Sequence, residues 1–271
     1  MTKRQYAEAI AKEIGGKVTE IKKNNGVVQL GVTASAPDTP IAPVMYVDAA
    51  YDCGESVENA VKEYNYQLER VREEGVDYEW VEDYGCAKEM LRVKLVNKAK
   101  NKETEVYRSA RNYGFPDLII VPYIDGINVR GNKGTVTVQQ HMLDNWGKSK
   151  RTVIDQAIAN MEKDVVVQPL ANKLAELVGG VPEMFESPFH VVTNRDGRYG
   201  AAAIIKAKWE LDVLFPDGYY VIPSSIHEML VLPMEQVNAD MLKGLIGEVN
   251  TEVLDAKDYL SDHPYEFKAT A

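Results

Sequence analysis

The stretch that most restricts how this chain can fold is VTEIKKNNGVVQLGV, residues 18–32. Apolar and polar residues alternate on both sides of Asn24, Asn25 and Gly26, and a period of two is typical of half-buried strands. Asparagine and glycine adopt the left-handed backbone that a tight turn between antiparallel strands needs. The stretch therefore predicts a hairpin and an antiparallel sheet near the start of the chain.

Helical patterns flank this hairpin. Residues 2–15 carry apolar side chains at helical spacing, and PVMYVDAA at 43–50 adds a predicted third strand. Ser56 is suited to cap a second helix, whose apolar residues from Val57 to Val71 share one face. The opening order is thus α-β-β-β-α, as expected of a sheet covered by helices.

The later segments continue this mixture of strands and helices. LRVKLVNK alternates apolar and basic residues like an exposed strand, with a helix as the alternative, and FPDLIIVPYID has the apolar run of a buried strand. The further predicted strands are FHVVTN, AAAIIK, GYYVIP, HEMLVLP and PYEFKA, and the further predicted helices are 149–161, PLANKLAELV, WELDVLF and NADMLKGLIGEVN. The predicted fold class is α+β, with mostly antiparallel sheets covered by helices.

The segment GGVPEMFESP, at 179–188, has two prolines and no clear periodicity, which is typical of a linker. It predicts two subdomains, an amino-terminal α+β region at 1–180 and a carboxy-terminal α+β region at 181–271. A chain of 271 residues is long enough for two cores.

Composition points to a cytoplasmic protein. The first residues lack the apolar core of a signal peptide, and no window approaches the ~18 consecutive apolar residues of a membrane span. Cys53 and Cys86 are the only cysteines, which argues against a disulfide framework. No metal ligand spacing and no nucleotide-binding loop occur, so no metal and no cofactor are expected.

The segment YYVIPSSIHEMLVLP, at 219–233, holds the candidate catalytic residues. Ser224, Ser225, His227 and Glu228 interrupt an apolar run, and His263 is a second histidine that the fold could bring near. HEMLV lacks the second histidine of a zinc-protease HExxH, and no GxSxG elbow is present. On a regular strand Ser225 and His227 would be roughly 7 Å apart, too far for a direct nucleophile-to-base hydrogen bond.

Two interpretations of this segment remain open. In the first, the serines satisfy turn backbone, His227 bonds a neighbour at the sheet margin, and Ile226, Leu230 and Leu232 fill the core. In the second, the serines, His227, Glu228 and His263 line one polar pocket, where a histidine acts as acid or base.

Charge is unevenly distributed along the chain. Residues 51–90 carry twelve acidic and four basic side chains, whereas residues 91–114 carry seven basic and two acidic ones. The acidic region and the residues just before it are also rich in tyrosine, a residue that is common in protein-binding surfaces. The tyrosines are Tyr46, Tyr51, Tyr64, Tyr66, Tyr78 and Tyr84. We therefore expect a protein partner or self-association. Nucleic acid is not favoured as a partner, because the chain is acidic overall.

Several segments together resemble a family. KKNNGV, APVMYVD, FHVVTN, IPSSIHEMLVLP and LSDHPYEF are similar to bacterial proteins grouped as domain-of-unknown-function family 5688. The resemblance runs from about residue 16 to the end, and its most specific parts are KNNG, IPSSIHE and LSDH. It implies a cytoplasmic bacterial protein and supplies no activity or catalytic residue.

These observations favour a cytoplasmic binding or regulatory component that acts through protein interaction. The first alternative is a hydrolase-like or small-molecule-binding protein with a Ser/His pocket. The second alternative is an acidic mimic of nucleic acid that inhibits a nucleic-acid enzyme, since negative surfaces can imitate the phosphate backbone.

Overall fold

The computed structural model describes residues 1–34, 43–74, 80, 82–129 and 132–268. Its strands are β1 Gly16–Lys22, β2 Val28–Ala34, β3 Met45–Tyr46, β4 Leu91–Asn97, β5 Arg108–Ser109, β6 Leu118–Val129, β7 Asn132–Thr137, β8 Val165–Pro169, β9 His190–Asn194, β10 Gly218–Ser225, β11 Glu228–Pro233 and β12 Tyr265–Lys268.

The α-helices of the same residues are α1 Lys3–Glu13, α2 Val47–Asp52, α3 Val57–Glu74, α4 Tyr84–Ala87, α5 Gln140–Trp146, α6 Lys150–Asn160, α7 Leu170–Val178, α8 Ile204–Leu214 and α9 Ala239–Glu252. Short 3₁₀ turns connect several of them. The mixture of helices with antiparallel strands confirms the predicted α+β class.

Three antiparallel sheets make up the described strands. The first has the order β1-β2-β3, and the second has the order β12-β10-β11-β9-β8. In the third sheet β6 pairs with β4 on one side and with β5 and β7 on the other. The predicted hairpin is confirmed, because β1 pairs with β2 from Gly16↔Ala34 to Lys22↔Val28.

The amino-terminal elements have a small core of their own. α1, α2 and α3 cover the first sheet and bury side chains that include Tyr6, Ile10, Val32 and Val47. Thr2 caps α1 through its hydroxyl, which accepts a hydrogen bond from the backbone amide of Gln5.

The largest core draws residues from both sides of the predicted boundary at 180. Leu91, Ile120 and Ile154 lie in one buried cluster with Leu211 and Tyr219. The second sheet also spans the boundary, since β8 precedes residue 180 and pairs with β9. The division into 1–180 and 181–271 stays a prediction.

The third sheet buries both of its faces, and this arrangement positions the candidate site. Leu91, Val93 and Leu95 of β4 enter the large core, whereas Val96 packs with Ile119 and Val121 on the opposite face. Lys94 lies on that second face and is only 7% exposed. The strand predicted from LRVKLVNK is therefore confirmed, but the expectation that it is exposed is wrong.

Other predictions at 43–50 and around 200–230 need correction. AAAIIK is not a strand: 200–203 form a 3₁₀ turn that continues into α8, with Ala201–Ala203 fully buried. PVMYVDAA is strand only at Met45–Tyr46, because α2 begins at Val47. HEMLVLP begins its strand at Glu228, which leaves Ile226 and His227 in the turn of the β10-β11 hairpin.

Helix α9 packs on the outer face of the second sheet. Tyr220, Ile222 and Leu232 of the sheet bury Leu242 and Ile246 of the helix. Asn238 caps α9, since its side chain accepts a hydrogen bond of 2.9 Å from the amide of Met241. Within the described residues, no helix is long and apolar enough to cross a bilayer.

Candidate functional site

A cleft of about 620 Å³ opens on the second face of the third sheet. We call it the lysine cleft, because five of its lining residues are lysines: Lys22, Lys23, Lys94, Lys100 and Lys102. The β1-β2 turn, the loop at 99–105 and Tyr199 form its walls, and β4, β6 and β7 form its floor. Glu103 and Glu105 are the acidic residues of this lining, so lysines outnumber them.

Lys94 is the buried lysine of this cleft. Its Nζ donates hydrogen bonds to Asn24 Oδ1 at 2.9 Å and to Thr137 Oγ1 at 3.2 Å. Both acceptors are neutral, and no ion pair involves Lys94 among the described residues. Desolvation by burial, followed by repulsion from Lys23, lowers the pKa of Lys94 from 10.5 to about 8.

Three of the other lysines contact an aromatic ring or a single acid. Lys23 Nζ lies 3.8 Å from the centroid of the Tyr46 ring, and Lys100 Nζ lies 3.7 Å from that of Tyr259. These are cation-π distances. Lys22 pairs with Glu103 at 2.5 Å, and both side chains are mostly exposed. The cleft thus keeps an excess of positive charge that no described carboxylate balances.

Asn25 fixes the β1-β2 turn against the rest of the molecule. Its Nδ2 lies within hydrogen-bond distance of the carbonyl oxygens of Ala256, Lys257 and Tyr259, at 2.8–3.3 Å. Asn101 Oδ1 accepts from the amide of Asn25, and Asn101 Nδ2 donates to Asn25 Oδ1, both at 2.8 Å. The KNNG turn is therefore a wall of the cleft as well as a hairpin connection.

Tyr199 forms another wall of the cleft. Its ring centroid lies 5.1 Å from Lys94 Nζ, and it meets the Tyr123 ring edge-on at 5.1 Å. The backbone of Tyr199 has a φ of 55°, a left-handed value that costs energy for a residue with a Cβ. Its amide donates to His227 Nδ1 at 3.2 Å, which holds this conformation in place.

His227 is the predicted site residue nearest the cleft. Its ring stacks on that of Tyr199, with centroids 5.9 Å apart and planes 7° from parallel. Because Nδ1 accepts the Tyr199 amide, the proton of the neutral imidazole belongs on Nε2. Nε2 lies 3.6 Å from Asp258 Oδ1. His227 thus joins the Tyr199 wall to the loop that Asn25 binds.

The other residues predicted at 224–228 bond within the hairpin. Ser225 Oγ accepts a hydrogen bond of 3.0 Å from the amide of His227, which confirms that this serine satisfies turn backbone. Ser224 Oγ donates to Glu228 Oε1 at 3.4 Å. Among the described contacts, neither serine hydroxyl is hydrogen-bonded to the imidazole of His227.

His263 belongs to a separate cluster. Its Nδ1 lies 3.0 Å from Ser261 Oγ and 3.0 Å from Asp262 Oδ1. Ser261 and Tyr265 donate to the two oxygens of Asp117, each at 2.8 Å. In the described part of the chain, no hydrogen bond or ion pair joins His263 to His227. The shared Ser/His pocket stays a prediction.

Sequence reasoning missed the lysine cleft. Its lysines come from segments about 70 residues apart, and they follow no recognised motif. The sequence feature that pointed to the cleft was Lys94, a lysine between apolar residues in a predicted strand. Burial of that lysine depends on the docking of the KNNG turn and on Tyr199, which the local pattern does not show.

The tyrosines of the predicted binding surface differ in their exposure to solvent. Tyr46 and Tyr66 are exposed, but Tyr64 is 2% exposed and its hydroxyl accepts from the amide of Ala34. Tyr78 lies outside the described residues.

Cys53 and Cys86 are exposed and form no disulfide. The described residues contain no cluster of three or more metal-ligating side chains.

Comparison with models of protein families gives a match. The model of a family described as "Family of unknown function (DUF5688)" matches residues 2–269. This match confirms the family that the sequence segments indicated. Searches of curated proteins and of solved structures found no match.

Proposed function

We propose that this chain, which belongs to the DUF5688 family of unknown function, binds a small phosphate-bearing or similarly multivalent anion in the lysine cleft. Lys94 carries the proposal. A buried ammonium is costly unless an opposite charge accompanies it. Here its two partners are neutral, Asn24 and Thr137, so a bound anion would supply the missing charge.

The size and lining of the cleft support a small ligand. Small-molecule sites commonly enclose roughly 300–1,000 Å³ and combine apolar walls with a few polar groups. In the lysine cleft, Val96 and Val121 are apolar, and Thr137 and Gln139 add polar groups. Lys23 and Lys100 lie over tyrosine rings, and among the described residues neither forms an ion pair, so both can reach an anion.

Isothermal titration calorimetry with inorganic pyrophosphate tests this function. Wild-type protein is expected to bind, and Lys94→Met is expected to weaken binding at least tenfold, which is about 1.4 kcal/mol. Lys98→Met is the matched control, because Lys98 is an exposed lysine of the same segment outside the cleft lining. Equal affinity for wild type and Lys94→Met would contradict the proposal.

A second candidate function, protein interaction, is favoured by the outer surface of α9. Met241, Leu245 and Val249 are exposed at intervals of four residues, and Val253 follows just after the helix. Such spacing produces an apolar stripe along one helical face. We propose self-association through this stripe, in line with the partner expected from the sequence.

Analytical ultracentrifugation over a range of protein concentrations tests the self-association. A dimer that Leu245→Glu dissociates, and that Trp209→Glu on α8 leaves intact, would support the α9 stripe. Trp209 is a suitable control because it is exposed and apolar but lies on another helix. A monomer at all concentrations would contradict this second candidate.

The remaining alternatives have less support. The hydrolase-like alternative needs a serine activated by a base, and the described contacts of Ser225 are with backbone. The acidic mimic stays a prediction. A cytoplasmic location is also a proposal, supported by the small number of cysteines, since Cys53 and Cys86 form no disulfide.

A further inference from the structure

We propose that Lys94 forms an imine with a phosphate-bearing aldehyde or ketone held in the lysine cleft. This inference rests on the proposed anion binding and names the ligand class more narrowly. The phosphate would contact the lysines of the cleft walls, and the carbonyl carbon would face Lys94 at the floor.

The hydrogen bonds of Lys94 suit a neutral amine. Asn24 Oδ1 and Thr137 Oγ1 each accept one N–H, so an amine with two N–H bonds satisfies both. Loss of the third proton breaks neither bond and leaves a lone pair on Nζ. No described carboxylate holds that proton on the nitrogen.

The surroundings also favour the deprotonated form. Burial and the neighbouring Lys23 bring the pKa of Lys94 to about 8, so a fraction of the amine is neutral near physiological pH. Desolvation and a nearby cation are the two known means by which proteins activate lysine for attack on carbonyl groups.

The reaction is a condensation without oxidation or reduction. The lone pair of Lys94 Nζ attacks the carbonyl carbon, and the carbonyl electron pair moves to oxygen, which takes up a proton. Nitrogen then loses its proton, and the carbinolamine that results loses water to give the C=N bond. One amine and one carbonyl thus yield one imine and one water.

Reductive trapping tests this step, with pyridoxal 5′-phosphate as the probe and sodium borohydride as the reductant. Hydride converts an imine into a stable secondary amine, which peptide mass spectrometry locates. At limiting probe, Lys94 is expected to carry at least ten times more label than any other lysine. Lys94→Arg keeps the charge and should lose the label, whereas the control Lys98→Arg should retain it.

Three measurements on the wild-type protein keep the test decisive if Lys94→Arg does not fold. Excess pyrophosphate should protect Lys94 from labelling at least tenfold, and pyridoxal, which lacks the phosphate, should label it at least tenfold more slowly. The rate should also rise as the pH passes about 8.

Three outcomes would overturn the inference: label spread evenly over Lys22, Lys94 and Lys100, equal labelling of Lys94→Arg, or no protection by pyrophosphate. If wild-type protein binds pyrophosphate but Lys94 takes no label, the imine is wrong and the anion site stands. If pyrophosphate does not bind, both proposals fail.

Discussion

Lys94 donates a hydrogen bond of 2.9 Å to the side-chain oxygen of Asn24, across 70 residues of sequence. This contact joins the floor of the lysine cleft to the turn of the amino-terminal hairpin. The turn thus places a neutral hydrogen-bond acceptor beside the Lys94 ammonium. A carboxylate at the same position would neutralise the charge of Lys94.

The first prediction concerns the charge of that acceptor. Asn24→Asp places a carboxylate beside Lys94, so the pKa of Lys94 should rise and the site should no longer need an external anion. Calorimetry should show pyrophosphate binding weakened at least tenfold. Asn24→Ala removes the acceptor without adding charge, and it should bind pyrophosphate more tightly than Asn24→Asp. Equal affinities for the two variants would count against a charge effect.

The second prediction concerns the anchor of the turn. Asn25→Gly keeps the left-handed backbone but removes the side-chain hydrogen bonds, which should lower the free energy of unfolding by about 1–3 kcal/mol. Asn25→Ala should lower the free energy of unfolding by about 1 kcal/mol more than Asn25→Gly, because alanine is strained at a φ of 63°. Urea unfolding measures both values. Two variants as stable as wild type would show that the turn is not held in this way.

The third prediction concerns the backbone beside Tyr199. A Cβ on Gly200 would lie 2.6 Å from the carbonyl oxygen of His227 and 2.7 Å from the amide nitrogen of Asn194. Gly200→Ala should therefore destabilise the fold by about 1–3 kcal/mol. Gly244→Ala is the control, because nothing lies within 4 Å of its Cβ position on α9, and it should stabilise by up to about 1 kcal/mol. Thermal unfolding distinguishes the two.

The fourth prediction concerns stability against pH. Lys94 has a pKa of about 8 when folded and 10.5 in its ordinary state, so the unfolded chain binds more protons between these values. The stability of the wild type should therefore rise with pH across this window, by roughly 3 kcal/mol from this group. Lys94→Met lacks this contribution, and urea unfolding at pH 7, 8, 9 and 10 compares the two. A difference in stability between wild type and Lys94→Met that does not change with pH would contradict the burial of a charged Lys94.

Much of the fold follows from local patterns, and the exceptions have physical causes. The NNG turn and the strand at GYYVIP were predicted because each depends on neighbouring residues. AAAIIK was misassigned because its alanines and isoleucines are buried on all sides, which hides the helical period. Burial of this kind is decided by tertiary packing.

The candidate site was less predictable than the fold. The sequence drew attention to His227, and the structure gives it two neighbours that no motif indicates, Tyr199 and Asp258. The cleft itself depends on Asn24 reaching Lys94 and on Tyr199 adopting a left-handed backbone. Both are long-range effects, since they arise only after the hairpin and the sheets have packed.

The most direct test of this account is the pKa of Lys94, measured by NMR titration of its Cε and Nζ resonances in isotopically labelled protein. We predict a midpoint of about 8 without ligand, and a higher midpoint when pyrophosphate is present. Lys94→Arg identifies the resonance by its absence. A midpoint near 10.5 that pyrophosphate does not move would contradict both the unpaired buried ammonium and the anion site built on it.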